Sequence, residues 1–283
     1  MHTEHHIKQV QHIVRDWQRK GLTVAFVPTM GNLHDGHLAL VDKAGQLADK
    51  VVVSIFVNPI QFGPNEDFDS YPRTLEQDAV QLVDHGADLL FAPSVAEMYP
   101  QGRDNQTRIT VPELSELYCG AFRPGFFTGV ATVVNKLFNI VPADIAVFGE
   151  KDFQQLHIIR RMVFDLNLSM DIVGVPTRRE SNGLAMSSRN GYLSETERET
   201  AAEIYRTLVV ARQRILDGEN DFADIEQAAI NLLQQAGFKT DYFVICNALT
   251  LQAAQAGDTS LVILVAAHLG STRLIDNISI EIQ

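Results

Sequence analysis

The order of apolar and polar positions predicts strands and helices in alternation through the first 176 residues. In "IKQVQHIVRDW", Ile7, Val10, Val14 and Trp17 recur every three or four residues, which is one face of a helix. Strand-like apolar runs follow at 22–28 (LTVAFVP), 51–57 (VVVSIFV), 88–91 (DLLF), 143–148 (ADIAVF) and 170–175 (MDIVGV). Helical periodicity fills the intervals at 37–48, 73–85, 129–140 and 153–165. Continuous Val/Ile/Phe runs separated by helices are the pattern of a parallel sheet covered on both faces. Residues 1–176 therefore read as a doubly wound, Rossmann-like α/β domain. Ligands in such sheets sit outside the carboxyl ends of the strands, near the switch point.

The pattern changes after "GVPTRRESNGLAMSSRNGYLSETE". Two helical segments, 195–217 and 221–236, precede strand-like runs at 242–246, 261–267 and 274–282. This predicts a smaller α+β domain over 177–283, joined through a Gly/Ser/Asn-rich connection. No internal repeat or low-complexity tract interrupts either part.

Composition narrows the class. The chain has 283 residues, 46% hydrophobic and 20% charged, as ordinary globular proteins have. Its apolar runs stop far short of the ~20 residues a membrane helix needs. The polar start "MHTEHHIKQV" has no apolar signal core, so no export signal is expected. Cys119 and Cys246 lie far apart without a CxxC pair, which argues against a disulfide framework or zinc site and fits a reducing cytosol. A net charge of −12 disfavours nucleic acid as a partner, since phosphate backbones demand a basic face. A small phosphate-bearing ligand needs only a local cluster of donors. His2, His5 and His6 have the chemistry of metal ligands, but a frayed terminus is the simpler expectation.

Candidate chemistry collects after the strands. In "PTMGNLHDGHLALV" His34 and His37 bracket Gly36 at a strand-to-helix turn, near a helix N-terminus that already favours anions. Two imidazoles add donors for a phosphate whose charge grows in the transition state. The plain alternative is that one histidine caps the helix and the other packs. "FGEKDF" places Lys151 and Asp152 after another strand: a lysine for phosphate and an aspartate for ribose hydroxyls, or a helix cap beside a solvated lysine. "NPIQFG" puts Asn58 and Gln61 in the equivalent place, suited to a small substrate's oxygens or to a Pro/Gly turn. "GLAMSSRN" offers two hydroxyls and Arg189 to a triphosphate, or is a flexible linker. No GxxxxGK[ST] or GxGxxG motif occurs, which disfavours a Walker NTPase and a standard dinucleotide domain. Together the loops favour a nucleotide site.

HxGH after the first strand, with a later Ser/Arg loop, resembles the nucleotidyltransferase superfamily. "PTMGNLHDGHLALV", "SIFVNPIQF", "YPRTLEQD", "FGEKDFQQL", "GLAMSSRNGYLS" and "GSTRLIDN" together resemble, at matching spacing from residue 22 onward, the pantothenate synthetase (pantoate–β-alanine ligase) family. The resemblance implies a nucleotidyltransferase domain with a C-terminal lid. It also implies two reactions: (R)-pantoate attacks the α-phosphate of MgATP to give an enzyme-bound pantoyl adenylate, and β-alanine then displaces AMP. Position by position, it assigns His34 and His37 to the ATP phosphates and Met30 to the nucleotide through its backbone. It gives Gly149 and Asp152 to the ribose, Lys151 to the phosphates, and Gln61 and Gln155 to pantoate. Ser187, Ser188 and Arg189 fall to the closing loop, and Asn58, Tyr71, Asp78 and Arg123 to shaping the site. Mg2+ as cofactor, a cytoplasmic location and a homodimer are further implications, with no nucleic acid or membrane partner.

One departure stands out. In "FRPGFFTGV" the resemblance leads to a histidine where this chain has Phe126, beside a retained Arg123. Rival readings are another HxGH adenylyltransferase, which would stop at AMP transfer, and a catalytically silent nucleotide-binding homologue. An aminoacyl-tRNA synthetase fits less well, because the chain is short, acidic and without an evident tRNA-binding module.

Overall fold

The computed structural model describes residues 1–64 and 66–282. The chain divides into one unit of Met1–Glu150 with Gln154–Pro176 and another of Lys151–Phe153 with Thr177–Gln283.

In the first unit the elements run β1 (His2–Glu4), α1 (Ile7–Arg19), β2 (Val24–Thr29), α2 (Asp35–Leu47), β3 (Lys50–Ile55), α3 (Leu75–Asp84), β4 (Leu89–Phe91), α4 (Val95–Met98), α5 (Cys119–Phe122), α6 (Phe126–Ile140), β5 (Ile145–Gly149), α7 (Phe153–Asp165) and β6 (Asp171–Val175). Among the described residues the sheet has six strands in the order β1-β4-β3-β2-β5-β6, with every neighbouring pair parallel. The chain lays down β2, β3 and β4 in one direction and returns to place β5 and β6 on the other side of β2. The switch point therefore lies between β2 and β5.

Burial follows that order. Val24–Val27 in β2 and Val51–Ser54 in β3 are buried, whereas the edge strand β1 is largely accessible and β6 at the other edge is only part-buried. This is why the central strands read as unbroken apolar runs. Phe138 of α6 packs edge-on against Phe26 of β2 (centroids 6.5 Å, 76°) and Phe148 of β5 (6.3 Å, 75°). The trio fastens α6 across the switch point, and fully buried Phe26 alone contributes about 1.5–3 kcal/mol of transfer free energy.

The N-terminus departs from expectation. Instead of fraying, His2–Glu4 pairs in parallel with β4, and His5 Nδ1 lies 2.6 Å from the Ala92 carbonyl oxygen. Edge strands show one face to water, so polar side chains there conceal a ladder made by the backbone.

The second unit contains α8 (Glu195–Ala201), α9 (Glu203–Leu216), α10 (Phe222–Gln235), β7 (Lys239–Asn247), β8 (Ser260–Leu269) and β9 (Thr272–Glu281). Its antiparallel sheet runs β7-β8-β9, so β8 is central and almost wholly buried. Leu208 of α9 and Ile225 and Leu233 of α10 share one core with Phe243, Ile263 and Val265 of the strands. The helix predicted over 195–217 is two helices. The chain turns at Ala202 (φ −65°, ψ −16°), and one tightened turn leaves the apolar period intact, so the sequence reads straight through it. Strands β7 and β8 outrun their apolar runs at both ends, and β9 starts two residues early, because polar ends such as Lys239, Asn247 and Thr272 still pair in the ladder; β9 ends one residue short, at Glu281. The connection is ordered: Arg179 bridges Ala185, and Asn190 donates to Glu180 (2.8 Å) and to the Ala185 carbonyl (3.1 Å).

Candidate active site

The turn after β2 is built by a few groups close to it. Thr29 donates its hydroxyl to the Ser54 carbonyl at 2.8 Å and accepts from Gly31 N at 3.2 Å. Gly31 (φ 83°) and Asn32 (φ 52°) then reverse the chain in left-handed conformations. A Cβ on Gly31 would meet Ile55 Cγ2 at 2.9 Å, so glycine is required for space as well as for its φ. Asp78, almost fully buried, accepts from Asn32 N (2.9 Å), Leu33 N (2.8 Å) and the Thr74 hydroxyl (3.1 Å). A carboxylate is acceptor-only, which suits it to neutralise two backbone donors that the turn exposes.

His34 follows as the N-cap of α2, its Nδ1 accepting from Gly36 N at 3.1 Å. That bond assigns the neutral tautomer with hydrogen on Nε2, which makes Nε2 the ring's donor. The His37 ring lies on the first turn with its centroid 4.1 Å from that of His34, tilted by 32°. Capping and pairing thus coexist: one imidazole closes the helix end and both stand at its electropositive terminus.

After β3, the short helical turn Pro59–Gln61 is pressed against α6. A Cβ on Gly129 would fall 2.6 Å from the Ile60 carbonyl oxygen, so only glycine permits the approach. Buried Asn58 donates to Gln61 Oε1 (3.0 Å) and accepts at Oδ1 from the Tyr99 hydroxyl (2.7 Å). Gln61 is thereby polarised: its oxygen is occupied and its Nε2 faces Met30 Sδ at 3.2 Å. Burial raises the Tyr99 phenol above its ordinary range, against a smaller lowering by Arg108, so it stays a donor. Tyr71 is buried edge-on to Phe62 (5.9 Å, 72°) and carries packing.

After β5, Gly149 ends the strand opposite Val175. Lys151 and Asp152 follow in the short turn Glu150–Asp152, with 3.8 Å between Nζ and Oδ2. The lysine side chain is only 18% exposed, which is not the solvated surface lysine of the plain reading. Gln155 is half-buried on the first turn of α7. In the second unit Ser187 caps the short turn Ser188–Tyr192, accepting from Arg189 N at 3.3 Å.

The chain has known relatives along its whole length. Residues 2–279 match the Pantoate-beta-alanine ligase family. The chain belongs to that family. A pantothenate synthetase of Alcanivorax borkumensis is 57% identical over 100% of this chain and 99% of its own, and one of Pseudomonas fluorescens is 55% identical over 100% and 99%. The crystal structure of pantothenate synthetase from Thermus thermophilus matches with a TM-score of 0.91 at 45% identity, covering 98% of this chain and 99% of that one. A Francisella tularensis pantoate-beta-alanine ligase, complexed with beta-gamma ATP and beta-alanine, matches with a TM-score of 0.82 at 37% identity, covering 98% and 97%. The chain is thus a pantoate–beta-alanine ligase, and its parallel sheet with a small antiparallel sheet is the architecture of those structures.

In this ligase Arg123 is clasped twice. Its guanidinium donates to both carboxylate oxygens of Glu66, at 2.6 and 2.5 Å, and lies 3.6 Å from the centroid of the Phe126 ring. The ring at 126 stacks on a cation, an interaction worth about 0.5–2 kcal/mol. Sequence reasoning missed Glu66, Tyr99 and Gln154. Gln154, next to the chosen Gln155, is buried and donates to the Leu114 and Leu117 carbonyls at 2.9 and 2.8 Å. In "QQL" the apolar period alone signals which glutamine faces inward, since Gln154 lies four residues before Ile158 on the buried face. Among the described residues no helix is long and apolar enough to cross a membrane, and no group of three or more His, Cys, Asp or Glu side chains is gathered as metal ligands.

Proposed function

We propose that the ligase joins (R)-pantoate to β-alanine at the expense of ATP, in two steps. A pantoate carboxylate oxygen attacks the α-phosphorus and the bond to the bridging oxygen of pyrophosphate breaks. The amine of β-alanine then attacks the acyl carbon of the pantoyl adenylate and expels AMP, the amine's proton passing to solvent. The observation that carries this reading is the imidazole pair at the start of α2, with His34 in the tautomer that donates from Nε2. The ligands in the Francisella tularensis complex also support it.

In this reading His34 and His37 donate to phosphate oxygens as charge develops on them, with His34 nearest the reacting phosphorus. Met30 meets the nucleotide through its backbone, and Gly149 and Asp152 hold the ribose. Lys151 and Arg189 balance the triphosphate charge, with the hydroxyls of Ser187 and Ser188. Gln61 offers its Nε2 hydrogens to pantoate oxygens, because Asn58 already occupies its Oε1; Gln155 takes the remaining ones. Asn58, Tyr71, Asp78 and Arg123 shape the pocket walls. The donors named here suit phosphate oxygens; Lys151 and Arg189 would hold a nucleotide that carries Mg2+, and the ion would supply neutralisation of the phosphate charge there. The ligase works as a cytoplasmic homodimer, which sedimentation of the purified chain would test.

The deciding assay follows pyrophosphate release from MgATP with (R)-pantoate, before and after β-alanine is added. One equivalent per enzyme before addition, then turnover with AMP and pantothenate afterwards, is the expected course. Turnover to pyrophosphate without pantoate, or none with it, would replace this reading with another adenylyl transfer or a silent homologue.

A further inference from the structure

We infer that Asn277, held by Asp276 and Arg179, is a positioning residue for Lys151 and sets the placement of its ammonium through the lysine's own backbone. This rests on the reading of Lys151 as a phosphate-binding group. Lys151 and Asp152 lie between β5 and α7 in sequence and Phe153 opens α7, yet the three cluster with Thr177–Gln283. The link is specific: Asn277 Nδ2 donates to the Lys151 carbonyl at 2.9 Å, across 126 residues of sequence.

Asn277 is itself fixed from several sides. It sits in β9 opposite Leu264, buried, with its backbone N–H donating to Asp276 Oδ1 at 2.8 Å and its carbonyl accepting from Arg179 at 3.3 Å. Arg179 donates to both oxygens of Asp276, at 2.5 and 3.0 Å, and its guanidinium lies 3.7 Å from the centroid of Tyr205. A bidentate, stacked guanidinium has little freedom left, so the carboxamide projects from a rigid base. Burial pushes the Asp276 carboxyl up from its ordinary range, while Arg179 and, more weakly, the Lys151 charge pull it down. Lys151 is therefore within electrostatic reach of the buried carboxylate. A lysine on a four-carbon stem is a flexible point charge, and anchoring its backbone in a short turn of Glu150–Asp152 removes part of that freedom before substrate arrives.

The test is a double-mutant cycle on the pyrophosphate-forming step. Asn277→Asp keeps the shape but turns a donor into an oxygen facing the Lys151 carbonyl; Asn277→Ala and Asn277→Ser remove or shorten the donor should the aspartate variant not fold. Each folded variant should lose on the order of tenfold to a hundredfold in kcat/KM for ATP. The amide-forming step, assayed from synthetic pantoyl adenylate, should keep its rate. In the Lys151→Ala background the Asn277 change should cost almost nothing more, because the side chain it positions is gone. If Lys151→Ala turns over normally, the reading of the lysine fails and the inference with it. If Lys151→Ala is impaired but folded Asn277 variants are kinetically normal, or the two losses multiply, the lysine keeps its role and the positioning inference is overturned. Should none of the three Asn277 variants fold, Asn277 serves the fold alone, which overturns it as well.

Discussion

The turn after β2 and the turn after β5 each present basic side chains just past a strand, His34 and His37 in one and Lys151 in the other, but they are held differently. The first is fixed by its own strand, by a glycine and by Asp78, which lies 46 residues on in sequence and within the same parallel domain. The second is fixed by a carboxamide 126 residues away, in an antiparallel sheet with a separate core. A rigid turn can be written locally, whereas the turn that carries Lys151 is tied to the unit that also carries Arg189. The first arrangement guarantees geometry, and the second makes the lysine's position depend on the C-terminal unit.

Substitutions separate the two designs. His34→Ala should cut adenylate formation by on the order of 10²–10³, the loss that follows removal of one donor to a developing charge. The accompanying loss of the N-cap should cost only about 0.5–2 kcal/mol in urea denaturation. A variant with normal turnover would end the role given to that imidazole. Asp78→Ala should act chiefly on stability. It orphans one buried and one part-buried backbone donor at about 1–3 kcal/mol each, and chemical denaturation should show a loss of about 2–6 kcal/mol. If the folded fraction were also as stable as wild type, the turn would be held by something other than Asp78.

Tyr99→Phe probes a third tether, from α4's end to Asn58 and hence to Gln61. It leaves the buried Asn58 oxygen without its phenol, so KM for pantoate should rise several-fold, consistent with about 1 kcal/mol, and KM for ATP should hold. Equal changes in both would mean that Tyr99 supports the whole domain rather than the pantoate side. Glu226→Gln is the control, a tether in the second unit remote in sequence from every site residue. Glu226 accepts from Ile245 N at 2.7 Å, and burial raises its carboxyl above the ordinary glutamate range, partly offset by that bond. The folded state thus holds this proton more tightly than the unfolded chain, and stability falls as pH rises from the ordinary glutamate range through the raised value. The glutamine variant should therefore melt slightly higher than wild type at pH 7, with the difference vanishing at pH 4 and kinetics unchanged. A lower melting temperature at pH 7 would reverse the sign.

The same contrast explains what could be read from the chain. Central strands and their helices were legible because burial on both faces writes unbroken apolar runs, and α7 was placed at its observed bounds, Phe153–Asp165. The β1 strand was not, because its pairing is made by backbone groups that leave no side-chain signature. Among candidate site residues, those in loops after strands were proposed from position and chemistry. Glu66, Tyr99, Asp276 and Asn277 were not, because each acts on a partner distant in sequence. The single feature that marked Asn277 was the polar pair Asp276–Asn277 between the apolar pair Leu274–Ile275 and Ile278, and two buried polar residues in a strand are a request for partners.

The most direct test of the proposed chemistry is an isotope transfer. (R)-Pantoate labelled with oxygen-18 in its carboxylate is turned over with MgATP and β-alanine, and the products are weighed by mass spectrometry. Attack on the α-phosphorus carries one labelled oxygen into AMP, with pyrophosphate unlabelled, and that is the predicted result. Label in orthophosphate with release of ADP would mean activation at the γ-phosphorus instead, and would contradict the adenylate account.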